Sequence, residues 1–153
     1  MKIYVDADAC PVKGIIENVA KRYGIPVTMI CDVNHVITSD YSSIVVTEQG
    51  ADSADLVLIN KVQPGDIVVT QDYGVATLAL GKKAYPIGNS GLIYTPDNID
   101  RLLFERFLGG KVRRSGGKAG RCSNPKKRTD ADNSAFEMNF DRLCRTRLDS
   151  EAK

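Results

Sequence analysis

The chain has a single histidine, His35, among 153 residues. Its four cysteines, Cys10, Cys31, Cys122 and Cys144, are scattered and form no C-x-x-C pair. That leaves no ligand set for a structural zinc ion, which needs four closely placed nitrogen or sulfur donors. No apolar run approaches the ~18 residues of a membrane span. Acid arrives as early as Asp6, so the N-terminus does not read as a secretion signal. Reduced thiols and a cytoplasmic location are the expectation. There is no long low-complexity stretch, and 42% hydrophobic residues suffice for a core.

Charge is unevenly spread. Residues 1–110 carry a net charge of −4, residues 111–128 hold eight Lys and Arg with no acid, and residues 129–153 carry −2. An acidic body thus bears one concentrated basic segment.

Apolar runs and breakers order the rest. A strand is expected over Lys2–Val5. Pro11 then opens a helix in which Val12, Ile15, Ile16, Val19, Ala20 and Tyr23 keep helical spacing, capped by Gly24. Further strands are expected over Val27–Cys31, Ile44–Glu48, Ile67–Thr70 and Ala84–Ile87, with "DVNHVITSDYSS" a polar loop. Helices are expected over Ser53–Val62, Val75–Leu80 and Asp97–Leu108, the last capped by Asp97 or Asn98. "GLIYT" extends or edges the sheet. Alternating strands and helices imply an α/β fold, a mainly parallel sheet covered on both faces in three α/β/α layers. After Gly109-Gly110, residues 111–153 read as a basic flexible segment followed by an amphipathic helix, with Phe136, Phe140, Leu143 and Cys144 on one side. That helix docks on the preceding domain or pairs with a second subunit as a homodimer.

In an open parallel sheet, ligands bind outside the carboxyl ends of the strands. Asp6 ends the first strand and Asp8 lies two residues on. Asp55 sits in the first turn of the helix after the third strand. Asp72 follows "IVVT". Three separate segments therefore deliver carboxylates to one rim. Gathered like charges raise one another's pKa unless a cation relieves them. With oxygen donors dominating, Mg²⁺ or Mn²⁺ is the natural ion. Asp52, three residues before Asp55, and Thr70 are candidates for supporting positions.

The stretches "DADACPV" (6–12), "ADLVLIN" (54–60), "GDIVVTQDYGVATLAL" (65–80) and "RRSGGKAG" (113–120) resemble the YaiI/YqxD family of uncharacterised bacterial proteins. The arrangement is also similar to PIN-like nucleases: an Asp ending the first strand, "AD" opening a helix, and an apolar strand closed by T-x-D. The resemblance implies a PIN-like domain over residues 1–110. It also implies metal-dependent phosphodiester hydrolysis, with Asp6, Asp8, Asp55 and Asp72 as catalytic, metal-holding residues. No residue plainly matches the further acid that PIN-like domains carry on a middle helix, and Asp8 is the candidate substitute.

The basic segment fits a nucleic-acid backbone. Arg113, Arg114, Lys118 and Arg121 are its candidate contacts, and RNA is preferred to DNA through the PIN-like analogy. Sparse aromatics argue against base stacking. Two rivals remain. A phosphatase of the haloacid dehalogenase type would use D-x-D with Asp6 as nucleophile. Against it, a helix begins at Pro11 where that fold needs a flap, and Gly65-Asp66 falls on the opposite sheet edge. The other rival is a non-catalytic RNA-binding module whose acids hold a structural ion.

Overall fold

The computed structural model describes residues 1–8, 10–35, 37–48, 53–114 and 127–152. Asp52, Lys118 and Arg121 lie outside them. Five parallel strands form one sheet: β1 (Ile3–Asp6), β2 (Val27–Asp32), β3 (Ser43–Thr47), β4 (Ile67–Val69) and β5 (Tyr85–Ile87). Their order is β3-β2-β1-β4-β5. β1 is therefore central, pairing Ile3 with Val27 on one side and with Ile67 on the other. Strands buried on both faces need uninterrupted apolar runs, and "IYV" and "IVV" supply them, fully or nearly buried.

Alternation along those strands sorts the core into two clusters. One side of the sheet sends Ile3, Val5, Met29, Ile67 and Val69 toward α1 (Lys13–Tyr23) and α5 (Asp130–Glu151). The other side sends Tyr4, Ile30 and Val68 toward α2 (Ser53–Lys61) and α3 (Tyr73–Gly81). α4 (Pro96–Arg114) lies against α3 through Ile99 and Leu102.

Gly24 ends α1 at φ 67°, and its N–H reaches the carbonyls of Ala20 and Lys21. Only glycine enters that left-handed region freely, so its position marks a true helix stop. The described residues between β2 and β3 hold no helix. Instead the connection is tied to α1: Ser39 and Ser42 hydroxyls both donate to Glu17, and Tyr41 donates to the carbonyl of Ile25.

Three local readings of the sequence change. The cap of α4 is Thr95, not Asp97 or Asn98. Its hydroxyl accepts from the Asn98 N–H at 3.2 Å, and the Asn98 side chain accepts from the Thr95 N–H at 2.8 Å. This reciprocal pair makes Pro96 the first helical residue, where its missing N–H is not needed. Second, α4 runs past Gly109-Gly110 to Arg114, because a helix already propagating tolerates two glycines at roughly 1 kcal/mol each. Third, "GLIYT" contributes one antiparallel bridge, Ile93 to Ile87, rather than a strand.

α5 starts with a capping box between Thr129 and Asp132. It then places Phe136 and Phe140, both 0% exposed, into the cluster beneath α1. The two rings stack at 5.2 Å. Gly91, at φ 91°, lets the β5–α4 connection press on this helix: a Cβ there would stand 3.1 Å from the Ala135 carbonyl and 3.2 Å from the Phe136 Cα. Asn139 donates back to the Gly91 carbonyl at 3.1 Å.

Candidate metal centre

Every strand runs the same way, so the ends of β1, β2 and β4 open on a single edge. Asp6 is the last residue of β1. Thr70, one residue beyond β4 and 1% exposed, donates its hydroxyl to Asp6 Oδ2 at 3.3 Å and accepts the Asp72 N–H at 3.0 Å. One buried hydroxyl thus ties the first acid to the second. Asp72 caps α3, its Oδ1 accepting from Gly74 N at 2.8 Å and Val75 N at 3.2 Å. It is a cap residue and a rim carboxylate at once.

Burial pushes the Asp6 carboxyl above the ordinary aspartate value. The Thr70 hydroxyl pulls it down, and the negative charges of Asp8 and Asp72 push it further up. The charges of Asp8 and Asp72 thus reach Asp6, but among the described residues the acids whose ligand atoms come within 4.8 Å of one another and of a third ligand are Asp8 and Asp32, with His35, and not Asp6, Asp55 or Asp72. Asp55 stands in the first turn of α2. It shares with Asp72 a groove of about 690 Å³ that is also walled by Leu56, Leu78 and Leu103. Arg106 of α4 lies over the ring of Tyr73, the residue after Asp72, at 5.8 Å. Arg113 and Arg114 occupy the final turn of the same helix.

Two residues at this edge escaped the sequence reading. Asp32 ends β2, and its N–H donates to Asp8 Oδ1 at 3.0 Å. His35 follows in the turn, with Nδ1 3.0 Å from Asp32 Oδ1 and 3.9 Å from Asp8 Oδ1. Ligand atoms of Asp8, Asp32 and His35 all lie within 4.8 Å of one another. The Asn34 N–H, donated to Asp32 at 2.7 Å, leads the interactions that hold this carboxyl below its usual value. The signal was present as D-x-x-H directly after a buried strand, but the polar loop around it masked the pattern.

Asp66 is different in kind. It precedes β4 on the opposite edge, is 5% exposed, and accepts the N–H groups of Lys2 and Gln63 at 2.9 Å each. Those bonds define a turn-anchoring carboxylate. Cys10, 5% exposed, packs with its thiol 3.8 Å from Asn89 Oδ1. Burial raises its pKa, which disfavours the thiolate. No described helix is long and apolar enough to cross a membrane.

Comparison with known proteins adds a family. A family model described as "Uncharacterized BCR, YaiI/YqxD family" matches residues 4–146. A UPF0178 protein of Clostridium acetobutylicum is 54% identical over 94% of this chain and 96% of its own. A UPF0178 protein of Ruminiclostridium cellulolyticum is 56% identical over 90% of this chain and 88% of its own. Another, from Clostridium kluyveri, is 52% identical over 94% and 92%. No solved structure matches.

Proposed function

Starting from a chain that belongs to the uncharacterised bacterial YaiI/YqxD family, we propose that it is a PIN-like, metal-dependent phosphodiesterase acting on RNA. The observation that carries this reading is the state of Asp6: partly buried, bridged to Asp72 through Thr70, and repelled by both Asp8 and Asp72. Carboxylates so gathered are relieved by a cation.

The donor set fits a divalent ion. Asp6, Asp8 and Asp72 would hold Mg²⁺ or Mn²⁺, with Asp55 on the far side of the groove. The imidazole of His35 and the Asp32 carboxylate beside Asp8 add a nitrogen donor. That favours Mn²⁺ over Mg²⁺, which prefers oxygen alone. When bound, such an ion polarises a phosphoryl oxygen and lowers the pKa of water. The chain's own residues do the rest. Thr70 fixes the spacing of Asp6 and Asp72, and the α3 N-terminus holds the Asp72 carboxylate in one orientation. Arg106 and the basic positions that follow it in α4 favour a polyanion beside the rim.

The phosphatase reading is disfavoured by Asp66. That carboxylate is committed to the Lys2 and Gln63 amides on the edge away from Asp6, so it cannot serve Asp6 chemistry.

The test is a thermal shift with Mn²⁺ and with Mg²⁺, run beside cleavage of single-stranded and structured RNA. Mn²⁺ should raise Tm by mass action, and cleavage should require it. Asp6→Asn and Asp72→Asn should lose both effects, and Asn at 72 keeps the helix cap. No Tm change in millimolar Mn²⁺ would sink the metal site. Metal binding without cleavage would leave the RNA-binding module.

A further inference from the structure

A second recess opens beside Asp72. It encloses about 430 Å³ and is lined by Gln71, Tyr73, Leu102, Glu105 and Arg106, a volume in the range of small-molecule sites. The backbone at Asp72 is extended, with φ −84° and ψ 116°. Successive side chains along extended backbone point to opposite sides. Asp72 accordingly lines the groove it shares with Asp55, and its two neighbours line the recess. Leu102, Glu105 and Arg106 stand at i, i+3 and i+4 on α4, which puts them on one face of that helix.

Two of these groups are fixed by their own fold. Gln71 Oε1 accepts the Asn89 N–H at 2.7 Å. With that oxygen committed, the amide nitrogen is what Gln71 presents, and it only donates. Gly88 makes the arrangement possible: a Cβ there would stand 2.7 Å from Gln71 Oε1 and 2.7 Å from the Tyr94 hydroxyl. Tyr94 in turn sets the Tyr73 ring, edge to face at 5.8 Å and 70°. The Arg106 guanidinium lies over the Tyr73 ring at 5.8 Å from its centre, beyond the ~3.5–4.0 Å of carbon atoms in contact. Ring and guanidinium are thus two walls of a slot rather than a closed stack. Arg106 is exposed, so a small outward swing admits a flat ring between them.

Unpaired bases stack on aromatic rings or guanidinium planes and are read along their edges. A carboxylate accepts only, so Glu105 selects a base edge with adjacent N–H donors. Guanine carries two side by side on its Watson–Crick edge. Adenine and cytosine set one amino group beside an acceptor, and uracil sets one N–H between two acceptors. Guanine also carries the O6 and N7 acceptors that an amide donor meets. We propose that this recess is a guanine-binding subsite: Glu105 takes the two N–H groups, the Gln71 amide donates to O6, and the base lies between Tyr73 and Arg106. The basic segment, residues 111–128, holds no aromatic residue, so the domain itself supplies the stacking platform. That the guanine belongs to a strand with its phosphate at Asp72, cut beside a guanosine, rests on the phosphodiesterase reading above. The binding of guanine does not.

Titration of the isotopically labelled chain with the four ribonucleoside monophosphates, followed by nuclear magnetic resonance in a chelator, tests the subsite apart from any metal. Guanosine monophosphate should bind about tenfold or more tighter than the other three, with shifts centred on Gln71, Tyr73 and Glu105. Glu105→Ala should remove that preference at unchanged Tm, because the side chain is exposed. Arg106→Ala should weaken all four alike. Equal affinity for the four nucleotides overturns the subsite. So does binding of none of them, and so does a guanine preference that survives Glu105→Ala. RNA cleavage by a chain with no guanine preference would sink the subsite and keep the phosphodiesterase. Guanine binding that needs Glu105, in a chain that never cleaves RNA, would keep the subsite and sink the phosphodiesterase.

Discussion

Replacing Thr70 by valine keeps the side-chain volume and removes one hydroxyl. Thr70 is 1% exposed and its hydroxyl serves two partners, Asp6 Oδ2 at 3.3 Å and the Asp72 N–H at 3.0 Å. The first bond is to a carboxylate but is long, so it belongs at the low end for charged hydrogen bonds, about 1.5 kcal/mol. The second loss leaves a backbone donor without its acceptor, worth about 1–3 kcal/mol. Together these predict a loss of about 2.5–4.5 kcal/mol, or a Tm fall of about 5–18 °C for a chain of this size. Thr70→Ser keeps both bonds and should lose no more than about 1.5 kcal/mol, from one missing methyl. The chemistry should move as well. The Thr70 hydroxyl lowers the Asp6 pKa, so without it the carboxyl ionises later. Mn²⁺ stabilisation should then set in at higher pH in Thr70→Val than in wild type. Differential scanning calorimetry across pH, with and without Mn²⁺, reads both effects. A valine variant that melts within about 1 °C of wild type, with the same pH onset for Mn²⁺, would refute the bridge between the two acids.

Three other outcomes are expected. Because burial raises the Asp6 pKa from 3.8, its contribution to stability is fully present below 3.8 and is lost as pH rises through the folded value. Asp6→Asn should therefore melt higher than wild type at pH 7 without metal, by a margin that shrinks toward pH 3, while losing the Mn²⁺ shift. Glu17 has the opposite sign: burial opposes ionisation, but the Ser39 and Ser42 hydroxyls prevail and lower its pKa from 4.5. Its contribution is present above 4.5 and lost as pH falls through the folded value, so Glu17→Gln should flatten the acid limb of the Tm–pH curve. Phe140→Ala removes a ring that is 0% exposed. It should cost about 3–5 kcal/mol by chemical denaturation, and a change under about 1 kcal/mol would mean α5 does not close the core.

The elements that could be read in the sequence are those whose apolar pattern is decided by burial. "IYVD", "VTMICD" and "DIVV" lie in a sheet covered on both faces, and their continuous apolar runs say so. Gly24 ends α1 because its backbone preference is steric, whereas Pro11, expected to open the helix, lies in the turn before it: α1 begins at Lys13, after Val12. The misreadings share another cause: a partner distant in sequence or a competing local bond. Thr95 won the α4 cap because only its hydroxyl and the Asn98 amide can bond reciprocally around Pro96. Gly109-Gly110 looked like a stop, but propagation outweighs a modest penalty. At the rim, counting to the strand ends placed Asp6, Asp8 and Asp72 on one edge, since strand direction alone decides that. Asp32 and His35 show locally only as D-x-x-H after a strand; their nearness to Asp8 comes from the β1–β2 register, which that pattern does not express.

The docking of α5 also has a consequence in time. The face of the sheet bearing Ile3, Val5 and Met29 is closed by α1 together with Phe136 and Phe140, residues more than a hundred positions along from α1. Contacts of such sequence separation form late, because the loop must close before they are rewarded. A chain growing on the ribosome can assemble β1 to β5 and α1 to α4 with that face still partly open. The final seal waits for residues 136–144 to emerge and for the intervening basic segment to have been made. Until then the exposed apolar face is a site for chaperone binding or misassembly, and folding ends only when α5 arrives.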